Sequence, residues 1–339
     1  MPTTAADKVV GESLFSILPQ REEIIVTLVN GESFDISPLD AQQLLELQYE
    51  QEVAFAQAIV ASPLDSIERK EVIALAYSTV CSILERLGQV RAAQTTGRMV
   101  SGAQSDFVMG LDARYTDLIL RLMTQQAQCG IDGAFFEVGF SSGVLLQQIA
   151  NAGYPVGGLE VVDSLVEQAK GRLHNKHHAR LLVGDFRKLD LGEHLGQYSI
   201  VYWNDVFEHI PTDEIASYLM VIRTLLKPGG KLVTITPNWH MRPSDVTVEF
   251  CPARTEASGF HLKEYTLGEV AGLLRDAGFR SVEVPSFISR RRIHISSALS
   301  FTRLKILAEP ALEWLPYSWA VQVCRRLGFN CTIATAEPT

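Results

Sequence analysis

The sequence predicts an α/β fold: a doubly wound, mostly parallel sheet of seven strands whose last strand runs antiparallel, preceded by an N-terminal β-hairpin and helical extension. Three observations carry this expectation. From about Asp106 onward, short apolar runs alternate with helical stretches, which is the pattern of a parallel sheet covered by helices on both faces. One of those runs enters a glycine-rich turn that opens a helix. Before them, residues 24–36 read as two β-rich runs flanking Asn30-Gly31, a dipeptide that tolerates the positive φ of a tight hairpin.

We therefore divide the chain into residues 1–105, a hairpin and helical extension, and residues 106–339, the sheet domain. In the extension, Ser37-Pro38-Leu39-Asp40 reads as a helix start, with Ser37 as the cap, Pro38 in the first turn and Asp40 favouring the positive helix end. That helix is expected to run to about Ala61. A second helix, from near Ile67 to Leu87, is apolar on most faces (Val72, Ile73, Val80, Ile83, Leu84) and is expected to stop at Gly88. So apolar a helix must be covered, either by the main domain or by a second subunit. The extension thus reads as a lid or as the contact of a homodimer, and polar Gln89 to Gln104 as a linker or mobile lid.

In the sheet domain a helix over Tyr115–Gln126 leads into expected strands at Ala134–Val138, Pro155–Glu160, Ala179–Val183, Ile200–Asn204, Lys231–Thr236, Ser281–Pro285 and Cys331–Ala336. The last follows a helical insert, about Ser297–Leu327, and is expected to pair antiparallel at or near the sheet edge.

Composition narrows the function classes. Apolar residues make up 47% of the 339, enough for a large core, yet no run of about 18 apolar residues suggests a membrane span. The start of the chain lacks a basic stretch followed by an apolar one, so no signal peptide is expected. Five cysteines, odd in number and without metal-ligand spacing, fit a reducing, cytoplasmic setting. A net charge of −9 argues against nucleic acid as a partner. Arg290-Arg291-Arg292 reads as a solvated loop, with a local anion site as the alternative.

The chemistry concentrates in Glu137-Val138-Gly139-Phe140-Ser141-Ser142-Gly143, a strand entering a turn whose glycines let backbone approach a ligand and whose following helix presents free N–H groups. Some twenty residues on, a strand ends in Glu160, placed to accept the hydroxyls of a ribose. A dinucleotide fingerprint needs glycine at the first, third and sixth positions of the turn. Here those are Gly139, Ser141 and Val144, so two of three fail. With Gly184-Asp185-Phe186, the Tyr198–Ile210 segment, Leu225-Leu226-Lys227-Pro228-Gly229-Gly230-Lys231-Leu232 and His261-Leu262-Lys263-Glu264-Tyr265-Thr266 following in order, the chain resembles the class I S-adenosylmethionine-dependent methyltransferases of small-molecule type. Ser141 departs from the family's middle glycine.

The resemblance implies a Rossmann-like fold over roughly residues 110–339 and S-adenosylmethionine as cofactor. It implies that Glu137, Gly139, Phe140, Ser141 and Gly143 hold the methionine end, that Glu160 takes the ribose with Val161 against the adenine, and that Asp185 and Phe186 contact the adenine. Asn204, Asp205 and Val206 would line the site near the sulfonium. It further implies methyl transfer to O or N of a small, apolar acceptor by in-line displacement.

An acceptor that must lose a proton needs a base, and histidine suits neutral pH. The candidates are His209, at the cofactor edge, and His261, in the segment after the fifth strand. His240 and Asp245 are weaker acceptor-site candidates, and His174, His177 and His178 read as surface residues. Asp205-x-x-Glu208-His209 with His261 is similar to the motif of a metal-assisted subset, which has Glu at the first position; with Asp there, no metal is expected. A nicotinamide-dependent oxidoreductase and a non-catalytic cofactor-binding protein are the competing readings.

Overall fold

The structure, a computed structural model, describes residues 23–96, 112–185, 187–289, 292–295 and 299–337. Strands β1 (Ile25–Thr27) and β2 (Ser33–Asp35) pair antiparallel around the Asn30-Gly31 turn, where Gly31 has φ +84°. Helix α1 (Ala41–Ala61) is capped by Asp40, not Ser37. The Asp40 carboxylate accepts from Gln43 N and the Gln43 side chain answers at Asp40 N, a capping box. Ser37 instead donates to Asp35. Helix α2 (Ile67–Thr96) does not stop at Gly88 but runs eight residues further. Leu87 and Val90, on either side of the glycine, pack with Val26, Ile36 and Ile83, and this burial outweighs the cost of a helical glycine, about 1 kcal/mol. Part of the expected linker is therefore helix, and its remainder, 97–104, lies outside the described residues.

The sheet domain follows in the order α3 (Ala113–Gln128), β3 (Ala134–Val138), α4 (Val144–Asn151), β4 (Val156–Glu160), α5 (Asp163–Arg172), β5 (Leu181–Val183), β6 (Tyr198–Asn204), α6 (Ile215–Leu225) and β7 (Leu226–Ile235). Then come α7 (Leu267–Asp276), β8 (Phe279–Glu283), β9 (Pro285–Ser289), β10 (Arg292–Ile295), α8 (Leu299–Ala308), α9 (Tyr317–Leu327) and β11 (Cys331–Ala336). The sheet order is β5-β4-β3-β6-β7-β11-β8. Strand β11 lies antiparallel between β7 and β8, one strand in from the edge, and the pairs among β3 to β7 are parallel.

Two expectations are corrected. The segment 281–285 is not one strand: β8 ends at Glu283, and β9 begins an antiparallel hairpin with β10. A 3-10 turn over Asn175–Arg180 shortens β5 and buries His177, whose Nδ1 accepts from Val156 N. Of the arginine run, Arg290 and Arg291 lie outside the described residues, and Arg292 is exposed on β10.

Side chains of the central strands alternate between two cores. Phe135, Ile200 and Tyr202 face α3 and α4, while Phe136, Val201 and Trp203 face α6 and α7. No described helix is long and apolar enough to cross a membrane.

The apolar α2 is covered by α1, β1 and the sheet domain itself. Tyr77 lies edge-on to Phe260 and His209, and Arg69 pairs with Asp213 at 2.9 Å and Glu214 at 3.1 Å while donating to the Ser62 carbonyl. Arg69 and Glu214 are almost wholly buried, so deleting one partner strands the other. Arg69→Ala is expected to cost about 3 kcal/mol, read as a lower urea midpoint with an unchanged slope. Glu214 keeps Arg187 at 2.9 Å, which holds the loss to the low end of the range for a buried pair.

Candidate active site

The chain turns from β3 outward to β5 and then returns to β6 on the other side of β3, so a crevice forms beyond the carboxyl ends of these strands. A cavity of about 210 Å³ occupies it. Its floor is the glycine-rich turn. Gly139 has φ +72° and Ser141 φ +50°, so the serine in the middle of the turn adopts the left-handed conformation that glycine favours. A Cβ on Gly139 would stand 2.6 Å from Val206 Cγ2, across the cavity mouth. Gly139→Ala therefore meets both a left-handed penalty of about 1–2 kcal/mol and a steric conflict with Val206. Calorimetry is expected to show cofactor affinity reduced at least about tenfold.

Glu160, at the end of β4, is buried and ties the crevice together. Oε1 accepts from Val161 N and Val162 N, and Oε2 accepts from Ser141 N at 2.8 Å. Burial raises its pKa and these three N–H groups oppose the rise. Of about four acceptor positions, three hold the backbone and one is left for a ligand. Glu137 lies behind the turn, buried, with Oε2 lacking a hydrogen-bond partner; burial pushes its pKa well above the ordinary value.

Val161, Asp185, Asn204, Asp205 and Val206 all border the cavity. Asp185 is held by Arg187, which donates through Nε and Nη2; burial would raise its pKa, but these bonds lower it. Phe140 differs from expectation. Its side chain is buried in the core with its ring against Gly158, where a Cβ would stand 2.6 Å away, and it does not border the cavity. Gly143 also sits behind the cavity, starting α4 at φ +76° against Ala169. Phe186 lies outside the described residues.

A second, wider cavity of about 610 Å³ adjoins the first. Tyr77, Cys81, Asn204, Asp205 and His209 line both. His209 Nδ1 stands 2.8 Å from the Phe260 carbonyl, which can only accept, so Nδ1 carries the proton and Nε2 keeps its lone pair. Burial, and then the neighbouring His261, lower its pKa to about 3, so the ring is neutral. His261 has the opposite character. Burial alone would lower its pKa, but the 3.0 Å bond to Glu264 and the charges of Glu208 and Asp245 push it up to about 9. The adjoining Glu208 is wholly buried, and burial with the nearby Asp205 raises its carboxyl to about 8.

Glu208, His209 and His261 bring ligand-type atoms within 4.8 Å of one another; Asp205 is not part of that group. Asp245 borders the second cavity, whereas His240 bonds Glu313 at 2.9 Å outside both.

Sequence reasoning expected the extension as a lid but named none of its wall residues: Gln48 and Glu52 from α1, and Ile73, Tyr77, Cys81 and Glu85 from α2. The one available signal was that α2 is apolar on nearly every face, which required a cover without naming it.

Residues 136–232 match the family model described as a methyltransferase domain. Over 108 residues the chain is 31% identical to the ubiquinone biosynthesis O-methyltransferase of Shewanella halifaxensis (strain HAW-EB4), covering 31% of this chain and 44% of the relative. It is 29% identical over 197 residues to an uncharacterized 37.1 kDa protein in transposon TN4556 of Streptomyces fradiae, covering 55% and 56%. The chain thus spans about half the length of the curated relatives it matches. Among solved structures, a SAM-dependent methyltransferase from Archaeoglobus fulgidus aligns at 14% identity and TM-score 0.41, over 66% of this chain and 94% of that one.

Proposed function

We propose that this chain, whose residues 136–232 match a methyltransferase domain, is an S-adenosylmethionine-dependent methyltransferase in which the smaller cavity receives the cofactor and the larger one a small acceptor, methylated on O or N. The observation that carries this reading is the shared wall: Asn204, Asp205 and His209 border both spaces, so a methyl group and a nucleophile held on either side meet there. The extension acts as the lid, since α2 lines both cavities and α1 the second.

The cofactor supplies a methyl group already activated by its sulfonium. The protein's work is to bind, align and exclude water. The turn at Gly139–Ser141 holds the methionine end and Glu160 the ribose. Neutral His209, its Nδ1 fixed by Phe260, offers Nε2 as an acceptor that orients the acceptor's O–H or N–H. His261, held by Glu264 in a carboxylate–imidazole pair, takes the proton when its ring is neutral.

Titration of the full chain with S-adenosylmethionine and with NADH tests the assignment. Binding of the first alone is expected; binding of NADH alone would overturn it.

A further inference from the structure

The acceptor cavity is unevenly charged. Glu52 from α1, Asp205 and Asp245 line it, and Glu208 and Glu264 stand directly behind His261. No arginine or lysine pairs with any of these five carboxylates among the described residues; one imidazole is their common counter-charge. It meets Glu264 at 3.0 Å and Glu208 at 3.9 Å. Asp112 and Arg114, also on the cavity wall, pair with each other, and Arg325 adds a guanidinium to that wall without pairing with any of the five carboxylates.

Two buried carboxylate oxygens at or beside this wall lack a hydrogen-bond partner. Asp245 Oδ1 accepts from Thr247 N, but its buried Oδ2 has no partner and would stand 2.7 Å from a Cβ on Gly259, as would Glu52 Oε2. Glu208 is fully buried. Its Oε2 accepts from Thr236, while Oε1, without a hydrogen-bond partner, stands 3.9 Å from Nε2 of His261, which lines the cavity. A buried, unpartnered carboxylate oxygen is costly unless a donor or cation arrives. Tyr77 and Phe260 also line this wall, and aromatic rings are favourable neighbours for an organic cation.

We propose that the acceptor is an organic amine, bound as its ammonium among Glu52, Asp205 and Asp245 and methylated on nitrogen; this rests on the methyltransferase reading above. The ammonium gives one proton to neutral His261, so the positive charge moves within the carboxylate cluster and is not lost from it. The freed nitrogen lone pair forms the N–CH₃ bond as the S–CH₃ bond breaks, its electron pair staying on sulfur. The products are a methylammonium and neutral S-adenosylhomocysteine, and the proton on His261 leaves to solvent.

Three nearly isosteric probes separate the charge types: phenethylamine, 2-phenylethanol and 3-phenylpropionate. Each is titrated by calorimetry into the full chain saturated with S-adenosylhomocysteine. Phenethylamine is expected to bind at least about tenfold tighter than the alcohol, with the carboxylate weakest. Asp245→Asn and Glu52→Gln should each shrink that preference while S-adenosylhomocysteine affinity, the control for folding, stays constant. Equal or tighter binding of the alcohol or carboxylate, or a preference untouched by both substitutions, overturns the proposal. The same titration is repeated with EDTA and with zinc. A preference that persists in EDTA supports the amine; tight zinc binding with no amine preference makes the cluster a metal site and overturns it. Binding of S-adenosylhomocysteine with the charge order reversed sinks the amine alone, whereas no binding of S-adenosylhomocysteine removes the methyltransferase reading with it.

Discussion

Replacing His261 with alanine is expected to lower kcat by about 10²–10⁴-fold, the usual contribution of a positioned base, while leaving S-adenosylmethionine affinity unchanged. The pH profile is the sharper readout. His261 is pushed up to about 9, so it is protonated at neutral pH and gains its lone pair only as pH rises through that value. With the wild-type chain, turnover is therefore expected to climb about tenfold per pH unit from 7 toward 9 and to level off above it. His261→Ala should lose this slope as well as the rate. A buried residue with a purely structural part would change stability and leave the slope in place. A wild-type profile that is flat between pH 7 and 9 would remove His261 as the base.

Replacing Glu160 with alanine is expected to weaken cofactor binding by about 1.5–3 kcal/mol, or roughly ten- to a hundredfold, because charge-assisted hydrogen bonds are worth about that much. The loss has two sources. One is the acceptor position left open on the carboxylate for a ligand. The other is the turn: Ser141 N, Val161 N and Val162 N all lose their acceptor, and Ser141 is held at φ +50° in part by this bond. Glu160→Gln separates them, since its amide oxygen can still accept from the turn but its NH₂ cannot accept from a hydroxyl. Calorimetry is expected to place Gln between wild type and Ala. Affinity unchanged in both variants would take Glu160 out of the cofactor site.

The difference between these two residues reflects how each was legible. The placement of Glu160 was readable because it depends on local order: a strand end, some twenty residues after a glycine-rich turn, within one β-α-β unit. His261 was readable as a candidate only. Its protonation depends on Glu264 three residues away, but also on Glu208 and Asp245, which the fold brings in from other loops. His209 and His261 look alike in sequence, yet one is buried against a carbonyl and neutral while the other is buried among carboxylates and charged. Phe140 went the other way. Its neighbours in sequence point to a ligand, but its ring fills the space that Gly158 leaves empty.

By itself, the amino-acid sequence determined the strand–helix alternation, the turn at Gly139–Gly143 with Glu160 beyond it, and the antiparallel last strand, because period, turn chemistry and spacing act over a few residues. Only the tertiary structure decided that α2 roofs both cavities, that its glycine at position 88 is bridged by packing, and that five carboxylates share one imidazole. Those outcomes join residues up to about two hundred positions apart, as Glu52 and Phe260 are joined, and depend on burial, which no local pattern encodes.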